Sequence, residues 1–97
     1  MDNIFLPNQR VLILQGLEKD SGRTLSNEML QRLLRSYGHT LSLQDVNALI
    51  AWLERCGYVS TERLGEAALI LVHLSRAGLD VALGYTRAEG IDPPFTE

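Results

Sequence analysis

At 97 residues, 45% of them apolar, the chain is long enough for one domain with a modest core and too short for two. Its charged fraction is 22% and its formal charge −3, which excludes a general basic field, so any nucleic-acid contact must come from a local patch. Cys56, the only cysteine, has no partner for an intramolecular disulfide or a metal-binding pair, which points to a reducing, cytoplasmic setting.

The opening "MDNIFLPNQR" has no basic stretch ahead of its short apolar run, so no signal peptide is expected. No apolar run approaches the ~18 residues of a membrane span. "PNQRVLILQGLEKD" places Val11, Leu12, Leu14 and Leu17, with Ile13 beside them, on a buried or half-buried helix following a proline. Ser21 and Gly22 break that pattern, and Leu25 suits a short extended piece. A second helix opens at Ser26 or Asn27, both favoured caps, with Glu28 in the first turn. Met29, Leu30, Leu33, Leu34 and Tyr37 follow at three- and four-residue spacings, and Gly38 ends the run.

The third helix starts at Ser42, with Asp45 three residues on, an approximation to a capping box. Leu43, Val46, Leu49, Ile50, Leu53 and Cys56 then share one face, Gln44, Asn47, Ala48, Ala51 and Arg55 share the opposite one, and Gly57 marks the end. After it, "YVSTER", a turn at "LGE" and "AALILVHL" predict a hairpin. In its second arm Ala68, Ile70, Val72 and Leu74 point one way, and Leu69, Leu71 and His73 the other, so both faces are largely apolar. Ser75 caps a short helix through "RAGLDVALG", with Leu79, Ala82 and Leu83 facing inward. The expected domain spans residues 1–84, and the proline-containing tail, residues 85–97, is expected to be loose or draped along the surface.

Three helices, a tight turn between the last two, and a hairpin form the order of a winged helix-turn-helix domain, an α+β fold that is mostly helical. "LIAWLERCGYV" resembles the "LxxLexxGLV" step of bacterial winged-helix regulators, where the reading helix ends on glycine and enters the wing. "LVHLSRAGLDVALG" resembles the "LTxxGxxxA" opening of their next helix. With "SYGHTLS" ahead of the reading helix, nearly the whole chain is similar to small winged-helix proteins of Mu-like prophages, grouped near ArsR-type regulators. The resemblance implies a DNA-binding transcription regulator. Two departures stand beside it. Cys56, His39 and His73 are isolated where metal-sensing members carry clusters, so no metal or cofactor is expected. The outward face of helix three is neutral except for Arg55.

On that face Gln44 and Asn47 can pair with adenine, Arg55 with guanine, and Ala48 or Ala51 can lie against a thymine methyl. Arg32, Arg35 and Arg63, with Arg55, can converge on the phosphate backbone, although a scattered, solvated surface explains them nearly as well. Cys56 is read as a small core residue and not as a redox switch. His39 is expected to bond its own backbone in the turn, and His73 to be structural. Trp52 has two open readings, core packing or a wedge against the wing or an interface. No nucleophile–base pair, phosphate loop or metal cluster emerges, so an enzyme is not expected. Two functions compete: double-stranded DNA binding, or a protein-interaction module whose small Ala48 and Ala51 admit a host or phage partner. The apolar first helix, the two-faced second arm and "NIFL" together predict a homodimer.

Overall fold

In the computed structural model, which describes residues 3–65 and 68–95, four helices and a three-stranded antiparallel sheet share one core. Helix α1 (Leu6–Lys19) is the central element: Val11, Leu12, Ile13, Leu14 and Leu17 are all buried. Its apolar surplus, the sequence argument for a second copy, is covered within the chain by the other helices and the tail. Pro7 lies at the first turn, where no intrahelical donor is needed.

Strand β1 (Thr24–Ser26) contains the extended piece expected at Leu25, and it pairs antiparallel with β3 (Ile70–Leu74). On the other side β3 pairs with β2 (Val59–Arg63), from Val59↔Leu74 to Arg63↔Ile70, so the sheet order is β1-β3-β2. The expected two-stranded hairpin is therefore a three-stranded sheet. Apolarity on both faces of "ILVHL" is the mark of its central strand: Ile70 and Val72 are buried, while Leu71 and His73 are half-buried. The second arm is shorter than "AALILVHL" because Ala68 lies in a bend before the strand begins, and the turn at "LGE" includes Glu66, outside the described residues.

Helix α2 (Asn27–Ser36) starts as its cap residue dictates, with the Ser26 hydroxyl accepting from Met29 N–H at 3.1 Å. Helix α3 (Leu43–Arg55) does the same through Ser42 and Asp45 N–H at 3.0 Å. Its end is a double closure: Tyr58 N–H donates to Leu53 O and Gly57 N–H to Glu54 O, which satisfies carbonyls the helix leaves open. Gly57 adopts φ 84° to make that turn, a region costly for other residues.

This closure also corrects the placement of Cys56. It is the C-cap and is exposed, because the chain reverses there and the core face of α3 stops at Leu53. Helix α4 (Arg76–Ala82) is capped by Ser75, whose hydroxyl accepts from Gly78 N–H at 3.0 Å and donates to Gly57 O at 2.7 Å. That second bond ties the start of α4 to the end of α3. Gly78, Val81 and Ala82 face the core, whereas Leu83, expected inward, is 41% exposed as the C-cap beyond the last turn.

The described residues of the tail, 85–95, bond to α1. Asp92 N–H donates to Pro7 O, and the Gln15 side chain brackets the backbone of Phe95, donating to its carbonyl at 3.2 Å and accepting from its N–H at 3.3 Å. Ala88 and Ile91 pack against the core cluster.

Candidate nucleic-acid interface

Helix α3 presents three strips, set by the ~100° step between residues. Val46, Leu49, Ile50 and Leu53 are buried against the rest of the core. Opposite them Gln44, Ala48 and Arg55 are exposed and form a ridge. On one side of the ridge a shallow groove separates α3 from the β2–β3 hairpin, and Asn47, Ala51, Glu54, Thr61 and Arg63 line it. On the other side a larger cavity separates α3 from the N-terminal half of α1.

The structure thus brings six of the eight sequence candidates onto one surface, the ridge and its hairpin-side groove. Arg32 and Arg35 are exposed on the outer face of α2, and nothing joins them to that groove. Acidic groups interrupt the surface. Asp45 and Glu54 lie on α3 itself, and the Glu54 carboxylate accepts from the Thr61 hydroxyl at 2.7 Å, fastening helix to strand.

Asn27, read from sequence as a cap candidate, has a larger role. It is fully buried, and its side-chain amide donates to Asn47 Oδ1 and to Ala68 O, both at 3.0 Å. Its carbonyl oxygen accepts from Glu28 N–H at 3.0 Å and Ile70 N–H at 3.2 Å. One side chain therefore holds α2, α3 and the hairpin in register. Asn47 Oδ1 already accepts one bond, which leaves its second lone pair and its amide N–H groups for an outside partner.

His39 does not bond its own turn. Its Nε2 lies 2.9 Å from Asn8 Oδ1 and its Nδ1 3.2 Å from Gln9 Nε2, an arrangement suited to the neutral ring with the proton on Nε2. The turn before α3 is thereby pinned to α1, since the loop folds back over the helix start. His73 is structural, as expected: Nδ1 meets Thr24 Oγ1 at 2.9 Å and Nε2 faces Glu62 at 3.4 Å across the strands.

Trp52 is half-buried and packs on the α1 side, away from the hairpin. The Arg10 guanidinium lies 3.7 Å above its ring, and Arg10 Nη1 donates to Gly90 O at 2.9 Å. Burial lowers the Arg10 pKa from its ordinary value, with Cys56 acting in the opposite direction. Sequence reasoning passed over Arg10 because it stands among the apolar residues of α1 and its partners are 42 and 80 residues away.

Among the described residues no group of three His, Cys, Asp or Glu side chains could hold a metal ion. No described helix is long and apolar enough to cross a membrane.

Fold and surface define a small α+β domain with a three-stranded antiparallel sheet and one solvent-facing helix flanked by two grooves. No family model matches the chain. It is 32% identical over 94 residues to the uncharacterized protein gp26 of Escherichia phage Mu, an alignment covering 97% of this chain and 95% of that protein. The chain belongs to the family of that Mu phage protein.

Proposed function

We propose that the protein is a winged helix-turn-helix DNA-binding protein of Mu-like phages, acting in the host cytoplasm as a transcription regulator, with α3 in the major groove and the β2–β3 hairpin as the wing. The element order α1-β1-α2-α3-β2-β3, with sheet order β1-β3-β2 and an exposed α3 ridge beside the hairpin, is the observation that carries this reading.

In this reading Arg55 on the ridge forks onto a guanine, Gln44 meets an adenine, and Ala48 lies against a thymine methyl. Asn47 and Ala51 in the groove stand behind them, and Arg63 across the groove attaches to phosphate. Arg32 and Arg35 supply further backbone contacts if the duplex follows α2.

Fluorescence anisotropy with double-stranded DNA over a salt series tests the proposal. Arg63→Ala should weaken all sequences alike and flatten the salt slope by about one. Arg55→Ala should relax base preference and cost ~1–3 kcal/mol. The acidity of the surroundings, Asp45 and Glu54 on α3 and a formal charge of −3, favours a second reading, a protein-docking face. Under it neither arginine variant alters DNA affinity, salt has little effect, and Ala48→Glu abolishes binding to a host or phage protein.

A further inference from the structure

The cavity between α1 and the hairpin-distal side of α3 measures about 320 Å³, the lower end of the range for small-molecule sites. Leu6, Leu41 and Leu49 form its apolar wall, and Trp52 and Ala48 continue it. Two guanidinium groups, Arg10 and Arg55, and one carboxylate, Asp45, also line it. Among the described lining residues the balance of charge is therefore positive, against the acidic trend of the chain.

Arg10 is held in place before any ligand arrives. Gly90 O fixes one nitrogen and the Trp52 ring lies under the guanidinium plane. Its Nε is buried with no hydrogen-bond partner, and among the described residues no carboxylate pairs with Arg10 or Arg55. A partly desolvated cation without a counter-ion is destabilised relative to the same cation beside an anion. Pre-orientation also reduces the ordering that binding would otherwise require.

We infer that this cavity binds a small organic carboxylate, with its anionic head on Arg10 and Arg55 and its apolar body against Leu6, Leu41 and Leu49. The volume admits a ring or a short alkyl chain. Ala48 and Arg55 also belong to the α3 ridge, so an occupied cavity draws Arg55 away from DNA and the acid acts as an effector. That regulatory consequence rests on the proposed DNA reading; the binding site does not.

The test is an amide-detected NMR titration of the DNA-free protein with 3-phenylpropionate, alongside its neutral amide and acetate. Trp52, the sole tryptophan, reports from the cavity wall through its indole N–H. Expected are saturable shifts at Leu49, Trp52 and Leu41 with a Kd of about millimolar order. The amide and acetate should each bind at least about tenfold more weakly, one lacking the charge and the other the apolar body. Arg55→Gln and Ala48→Phe, both at exposed positions, should each weaken binding by about tenfold while the spectrum stays folded. Equal binding of acid and amide, shifts centred elsewhere, or no shift at roughly ten times that concentration would overturn the assignment. Displacement of labelled DNA by the same acid tests the consequence separately: acid binding without any DNA binding sinks the DNA reading alone.

Discussion

Replacing Asn27 with Ala removes the side chain that joins α2, α3 and the hairpin, and its cost can be worked out bond by bond. Ile70 N–H is buried at the start of β3, and its bond to Asn27 Oδ1 is 3.2 Å long. Leaving it without a partner costs ~1–3 kcal/mol. The other three partners, Asn47 Oδ1, Ala68 O and Glu28 N–H, are only part-buried in their bonds and can turn to water, so each loses nearer ~0.5 kcal/mol. A total of about 2.5–4.5 kcal/mol follows, which for a domain of this size lowers Tm by roughly 10–36 °C. Asn47→Ala is the internal control. It deletes one of the four bonds and leaves Ile70 paired but strands one amide N–H of the fully buried Asn27, so it should cost about 1–2 kcal/mol, less than Asn27→Ala. Urea denaturation of both variants measures the difference, and amide exchange at Ile70 locates it. A loss at Asn27→Ala no larger than that at Asn47→Ala would refute the assignment of Asn27 as the bracket. So would exchange at Ile70 that remains as slow as in the parent protein.

Gly78→Ala should be among the most damaging single-methyl changes, because a β-carbon there overlaps the Tyr58 carbonyl oxygen, which is backbone and cannot turn aside. A loss of ~2 kcal/mol or more by thermal melting is expected, and a neutral result would contradict the close α4 approach. Cys56, exposed at the end of α3, should react with a thiol reagent in the folded protein at a rate close to that in urea; strong protection in the native state would restore the core reading. The homodimer expectation now depends on the exposed part of "NIFL", Ile4 at 80% and Phe5 at 53% exposure. Light scattering at high micromolar concentration decides it: a dimer mass lost in Ile4→Ser supports that patch as the contact, and a monomer mass removes the idea.

Local chemistry was enough for the helices. Ser26, Ser42 and Ser75 each cap where a side-chain oxygen can reach a backbone N–H three residues on, and Gly38 and Gly57 close α2 and α3 where a left-handed residue is required. These signals act within one turn of helix and so are legible in a short stretch of chain. The ridge of Gln44, Ala48 and Arg55, neutral but for Arg55, was legible for the same reason, since helical period alone separates it from the buried strip.

What lay beyond reach depends on contacts between distant segments. A three-residue strand carries almost no periodic signal, and only the β3 backbone opposite makes Thr24–Ser26 part of the sheet. Cys56 kept the phase of the core face, but the chain reversal at Gly57 moved it out of the core. His39 found Asn8 and Gln9 instead of its own turn because α1 runs beneath that turn. Asn27 and Arg10 acquire their roles from partners up to 43 and 80 residues away, at distances along the chain where no spacing rule operates. Caps and periodicity are local free-energy preferences that a sequence displays directly; brackets, cavities and exposed caps exist only once separate elements have packed, and tertiary packing decided them.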